Sequence, residues 1–178
     1  MSFLDEARYP LSTVANAIGR NLSTTRSWLP YVVGGLAPVE DKPAKVAGST
    51  ALYTARTVLQ LGIASYLIGF LTPKAGCYAA SHFTHLSSPN EAPDHHRDPG
   101  ELFSGAGIGT ALVAYRSGDS AVVRFQYSGG SDDPTPFSQL FFPLGGLVGN
   151  TRYKEGHSLY LNFIVQDVET RLKASISS

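Results

Sequence analysis

The chain has 178 residues, no formal net charge at pH 7, and 16% charged against 43% hydrophobic residues. This length suits a single domain, and the apolar content excludes a chain that is disordered by composition. Because neutralising phosphates requires a basic surface, the neutral charge balance argues against a nucleic-acid-binding protein. We therefore expect one domain over residues 1–178, with no nucleic-acid partner.

Apolar residues recur at helical spacing between Pro10 and Pro30. This spacing predicts an amphipathic helix in an N-terminal arm formed by residues 1–30. The residues before it carry Asp5 and Glu6 and lack the apolar core of a signal peptide. The helix either packs on a sheet or lies at a membrane interface, and both interpretations stay open. Its apolar positions are Leu11, Val14, Ala15, Ile18, Leu22 and Leu29, with Trp28 near its end.

The segment 57–73 is uncharged and approaches the length of a membrane-spanning helix. Its polar and glycine residues, together with its β-branched and aromatic content, favour two buried strands instead. These strands would join near 62–65, and a transmembrane helix is the alternative. The interrupting residues are Gln60, Gly62, Ser65 and Gly69.

The remaining segments predict short strands separated by turns. Strands are expected at 77–86, 103–115, 121–127, 137–144 and 157–165, with a hairpin turn at 116–120 and loops at 87–101 and 128–136. The predicted fold class is therefore mainly β. It is a single β-sandwich of about eight strands over 31–178, preceded by the N-terminal helix.

No residue pattern organises catalysis. The single Cys77 excludes an intrachain disulfide framework, and no G-x-S-x-G nucleophile motif is present. Histidines occur at His82 and His85 and again in the loop at His95 and His96. On a strand, residues three apart point to opposite faces, so we expect no metal site there. We expect no enzyme, no catalytic residue, no metal and no cofactor.

Aromatic residues flank the predicted loop at 128–136. Two strand ends that carry rings around one loop form either an exposed cluster facing membrane or ligand, or part of the sandwich core. The rings belong to Phe125, Tyr127, Phe137, Phe141 and Phe142.

The segment 104–142 resembles the central region of actinoporins, the pore-forming cytolysins of sea anemones and their relatives. The resemblance lies in a Gly-rich strand at 105–109, an Ala-Tyr strand end at 114–115, a Ser-Gly-Asp turn at 117–119, an apolar strand at 122–125 and an aromatic loop at 137–141. The segment 156–159 is similar to the start of the family's final strand. The helix-first layout and the length are similar too.

The resemblance implies a secreted or membrane-associated protein that binds sphingomyelin-containing membranes, self-associates into a homo-oligomer and opens a pore. It implies lipid-binding roles for Gln126, Tyr127, Phe137 and Phe141. It also implies that an N-terminal helix detaches and inserts, through Leu11, Val14, Ile18, Leu22 and Trp28. Two alternatives remain: an assembly subunit such as a jelly-roll viral capsid or coat protein, and a lectin-like or small-ligand binding module with its site in the polar loops.

Overall fold

In a computed structural model of the chain, helices and short strands alternate along the sequence. The structure describes residues 4, 6–35, 50–86, 98–102, 109–117, 120–128, 146–148, 151–153 and 156–176. The helices are α1 (Leu11–Ala17), α2 (Leu22–Trp28), α3 (Ala55–Leu67), α4 (Pro73–Thr84) and α5 (Leu161–Ile176), and a 3-10 helix spans Leu29–Gly35. The strands are β1 (Ala7–Pro10), β2 (Leu52–Thr54), β3 (Gly109–Ser117), β4 (Ser120–Ser128), β5 (Gly146–Val148), β6 (Thr151–Tyr153) and β7 (Gly156–Tyr160).

The prediction of a single mainly-β sandwich is wrong. The described strands form small sheets with the orders β1-β2, β4-β3-β7 and β5-β6, and helices supply much of the core. The segments 57–73 and 77–86, predicted as strands, are occupied mainly by α3 and α4. The predicted strand at 157–165 divides between β7 and the first turns of α5. The described fold therefore gives no support to a jelly-roll coat protein, which needs a β-sandwich.

Helix α3 forms where strands are predicted because its start carries a helix signal and nearly all of its residues are buried. The hydroxyl of Thr54 accepts a hydrogen bond from the backbone N–H of Thr57 at 3.1 Å, which caps the helix. Thr72 caps α4 in the same way, and Pro73 occupies its first turn. Because almost every residue of α3 is buried, its sequence lacks the polar stripe that marks a surface helix. Among the described helices, none is both long and apolar enough to cross a membrane.

The main sheet packs one face on the helices. In β3, Leu112 pairs with Phe125 of β4 and with Leu159 of β7, and all three side chains are buried. The ring of Phe125 lies 6.3 Å from that of Phe83 in α4, so this row contacts the helical layer. The strand predicted at 121–127 is confirmed, since it lies within β4, and β3 and β4 pair antiparallel from Gly109–Ser128 to Ser117–Ser120.

The N-terminal arm differs from the single helix that the apolar spacing predicts. Its helical residues form α1, α2 and the following 3-10 helix, with a break at 18–21. At the break Gly19 has φ of +66°, a conformation that favours glycine, and the side chain of Asn21 accepts from the N–H of Thr24 to begin α2. The break separates α2 from α1, so the apolar residues of the arm do not form one continuous helical stripe.

Candidate functional site

A cleft of about 350 Å³ opens between α3, α5 and the turn at 98–101. Its volume lies within the range of small-molecule sites in proteins, about 300–1,000 Å³. Apolar side chains form most of its wall, and two carboxylates belong to its lining. The lining residues are Leu4, Ala55, Leu59, Gly100, Glu101, Leu102, Val165, Val168, Glu169 and Leu172.

Each of the two helical walls is formed by one face of its helix. In α5, Val165, Val168, Glu169 and Leu172 follow the i, i+3, i+4, i+7 spacing that places side chains on one face. Two positions four residues apart, at the start of α3, form the opposite wall. The helices themselves approach closely, because a Cβ added at Gly62 of α3 would lie 2.8 Å from Val168 Cγ2. This contact fixes the distance between the walls.

The turn at 98–101 forms the third wall of the cleft, and Arg56 holds it in place. Its guanidinium Nη1 donates to the carbonyl of Thr84 at 2.5 Å and to the carbonyl of Pro99 at 2.6 Å. It therefore joins the C-terminal end of α4 to the turn that lines the cleft. The backbone N–H of Gly100 also donates to the carbonyl of Phe83 at 2.7 Å. The turn is held on α4 by hydrogen bonds from two directions.

Gly100 meets a backbone requirement in this wall. Its φ is +87°, in the region that side-chain-bearing residues rarely adopt. A Cβ there would lie 3.0 Å from Leu4 Cδ1 and 3.1 Å from Arg56 Nη1. A larger residue would therefore strain the turn and push on two neighbours that shape the cleft.

The ionisable side chains in the described lining are acidic, while the guanidinium of Arg56 lies behind the third wall, where it donates to the Pro99 carbonyl. Glu101 and Glu169 are both exposed, and the carboxylate of Glu169 lies 3.8 Å from the ammonium of Lys173 on the next turn of α5. The described lining contains no lysine or arginine. The cleft thus combines apolar walls with two solvent-facing carboxylates.

The structure describes the backbone of two of the four predicted lipid-binding residues. Gln126 and Tyr127 are near the end of β4, where they pair with Ala111 and Thr110 of β3. Phe137 and Phe141 fall outside the described residues. The grouping of these four residues, and their binding of lipid, therefore stay predictions.

The predicted membrane-inserting residues are divided between core and surface. Val14, Ile18 and Trp28 are buried in the hydrophobic core, Leu11 is half-buried, and Leu22 is 43% exposed. Returning the first two side chains to water costs about 3–6 kcal/mol, at 1.5–3 kcal/mol each. Detachment of this segment therefore needs a compensating interaction of at least that size. A charge introduced at Ile18 would disturb the core as well as any insertion.

Two aromatic rings, one of them exposed, lie in contact where β7 meets α5. The side chain of Phe163 is 70% exposed, and its ring lies 5.1 Å from that of Tyr160, the last residue of β7. Tyr160 pairs with Ala111, which also pairs with Gln126, so these residues form one row across the sheet. The predicted strand at 157–165 gave no indication of this pair, because a strand in a sandwich directs alternate side chains into the core.

His82 in α4 and His85, which directly follows that helix, have local structural contacts. The ring of His82 meets the ring of Tyr78 edge-on at 5.0 Å, and Nδ1 of His85 lies 2.7 Å from the Thr84 hydroxyl. His95 and His96 fall outside the described residues. Within the part of the chain that the structure describes, no group of three or more His, Cys, Asp or Glu side chains could hold a metal ion.

Cys77 lies inside α4 and is buried, and burial raises the pKa of its thiol from the usual 9.0 to about 12. The thiolate is therefore scarce at neutral pH, which argues against a nucleophilic role.

Comparison with known proteins adds no relative: no family model, curated protein or solved structure matches the chain.

Proposed function

We propose that the chain binds a small, largely apolar molecule in the cleft between α3, α5 and the turn at 98–101. The observation that carries this proposal is the convergence of apolar side chains from separate elements around about 350 Å³ of open volume. Sites of this kind usually combine apolar walls with a few polar groups that orient the ligand. The Arg56 contacts hold the third wall in place before a ligand arrives, which lowers the entropy lost on binding.

The volume sets the size of the ligand and its affinity. At about 30 Å³ per water, the cleft has the volume of about twelve waters, so a ligand of about ten non-hydrogen atoms fills it. The binding free energy per non-hydrogen atom has a ceiling of about 1.5 kcal/mol for the best very small ligands, and this ceiling falls to about 0.3 kcal/mol for drug-sized ones. At about 0.5 kcal/mol per atom the binding free energy is about 5 kcal/mol, which corresponds to a Kd near ~0.2 mM.

A titration with 1-octanol tests this proposal. We expect saturable chemical-shift changes in the backbone amides of Leu59, Val165 and Val168, with a Kd between about 0.1 and 1 mM. Val165→Phe places a ring in the cleft and should weaken binding about tenfold or more. Gln166→Phe adds the same ring at an exposed neighbouring position and should leave the Kd unchanged. No saturable binding, or equal Kd values for Val165→Phe and the wild type, would contradict the proposal.

We also propose, as a second function, that the chain associates with membrane surfaces through Tyr160 and Phe163. The exposed ring of Phe163 supports this, since aromatic side chains gain free energy at the boundary between lipid and water. The actinoporin-like segment adds sphingomyelin as the preferred lipid, with self-association and pore formation as later steps. The release of Val14, Ile18 and Trp28 from the core would be part of those later steps.

Vesicle flotation separates these steps. We expect the chain to float with sphingomyelin–phosphatidylcholine vesicles, and Phe163→Ser to lower the partition coefficient about tenfold, from about 1.5 kcal/mol of lost burial. Tyr66→Ser, which removes another exposed aromatic ring on α3, is the matched control and should not change flotation. Equal flotation of wild type and Phe163→Ser contradicts the surface assignment. Flotation without dye release would reject the pore-formation step and leave membrane association standing.

A further inference from the structure

The apolar cleft has carboxylates on two of its walls. Glu101 stands between Gly100 and Leu102 in the third wall, and Glu169 stands between the lining positions of α5. Both residues are exposed while much of the remaining lining is buried, so the carboxylates lie at the mouth. An apolar body inside the cleft would therefore place a terminal polar group between acidic residues from two different elements.

One of the two carboxylates already has a cationic neighbour on its own helix. The Lys173 ammonium lies 3.8 Å from the Glu169 carboxylate, and its side chain is 73% exposed. A contact of this length and exposure is weak and is screened by salt. A ligand cation held by its own apolar body could displace it without moving the helix.

We infer that the cleft selects small molecules that carry an alkyl or aryl body and a protonated amine. The inference rests on the proposed binding function and adds the chemical class of the ligand. The apolar part of the ligand packs between α3 and α5, and its ammonium lies between Glu101 and Glu169. Anionic amphiphiles of equal length are disfavoured because their charge faces the same carboxylates.

The size of the selectivity follows from the exposure of the two carboxylates. An exposed ion pair contributes about 0.2–1 kcal/mol, which is about 1.4- to 5-fold in affinity. Two such pairs favour an ammonium over a neutral hydroxyl by roughly 2- to 30-fold at low salt. Raising the ionic strength from about 0.01 to 1 M shortens the screening length from about 30 to about 3 Å, so the preference should shrink.

A matched ligand series tests the inference on the full chain. Octylammonium, 1-octanol and octanoate share one alkyl chain and differ in the head group. We expect octylammonium to bind tightest and octanoate weakest, with the order preserved but compressed at about 1 M salt. The double variant Glu101→Gln with Glu169→Gln should bind octylammonium and octanol equally, because it removes the charges that distinguish the two head groups.

Two single variants serve as controls for the series. Asp167→Asn removes a carboxylate from α5 outside the cleft lining, where it pairs with Arg171, and should keep the preference for the amine. Lys173→Met removes the competing cation and should strengthen octylammonium binding about 1.4- to 5-fold.

The possible failures are distinct. If octanol and octylammonium bind the wild type equally, the inferred amine preference is wrong and the binding function stands. If none of the three ligands binds, both are wrong. Loss of octanol binding in the double glutamine variant would show a damaged cleft, and the single Glu169→Gln variant then decides whether the preference falls in step with the charge removed. An unchanged preference in that variant overturns the inference.

Discussion

The close approach of α3 and α5 at Gly62 predicts a change of sign in a double-mutant cycle. Alanine in place of a helix-interior glycine normally stabilises by about 1 kcal/mol. Here the added Cβ would lie 2.8 Å from Val168 Cγ2, well inside the optimal separation of about 3.5–4.0 Å. Overpacking costs about 1–3 kcal/mol, so Gly62→Ala should change the free energy of unfolding by about 0 to −2 kcal/mol.

Removing the neighbour should reverse the effect. In a Val168→Ala background the methyl group that Gly62→Ala introduces enters vacated space, so it should stabilise by about 1–2 kcal/mol from helix propensity and added burial. The coupling between the two sites is then at least about 1 kcal/mol. Urea unfolding followed by the fluorescence of Trp28, which is buried and the sole tryptophan, measures each variant. Identical effects of Gly62→Ala in both backgrounds, within about 0.5 kcal/mol, would refute the proposed contact.

Three other changes should report on the core and the cleft wall. Gln60 is buried and donates to the Cys77 carbonyl at 2.9 Å, while its Oε1 has no partner among the described residues. Gln60→Leu should therefore leave the free energy of unfolding in urea unchanged or raise it by about 1–2 kcal/mol, and a loss above about 2 kcal/mol contradicts this. Because burial raises the pKa of the Cys77 thiol to about 12, this thiol ionises at lower pH in the unfolded chain than in the folded one. The stability of the wild type relative to Cys77→Ala should therefore be constant below about pH 9 and fall between about pH 9 and 12. Parallel pH profiles of the two proteins would argue against this. Arg56→Gln should cost about 1.5–3 kcal/mol of stability and weaken 1-octanol binding, and unchanged binding would show that its two carbonyl contacts do not shape the cleft.

Strand alternation was readable in the sequence, whereas the buried helices were not. The alternation at 121–127 predicts a strand, and this segment lies within β4, which pairs with β3. In α3, burial of nearly every residue removes the apolar–polar contrast that periodicity needs, so an apolar run with glycines resembles strands. The caps at Thr54 and Thr72 with Pro73 were the available signals, and they mark the helix starts that hydrophobic pattern alone misses.

The candidate site was beyond reach of sequence spacing for a different reason. Its walls come from residue 4, from the start of α3, from the turn at 98–101 and from the middle of α5. No local pattern connects segments that lie so far apart, because tertiary packing alone brings them together. The i, i+3, i+4, i+7 spacing in α5 is visible in the sequence, but the first residues of this helix fall within the strand predicted at 157–165. Because that strand prediction is wrong, it also gave no indication that Phe163 is exposed.

Isotope-filtered NOE spectra of the labelled chain with unlabelled 1-octanol test the central proposal most directly. Ligand binding in the cleft predicts NOEs from the alkyl protons to the methyl groups of Leu59, Val165 and Leu172, which line it from both helices. The same experiment on Val165→Phe should lose them. NOEs that appear instead at Tyr160 and Phe163, or none at all under saturating ligand, would contradict binding in the cleft.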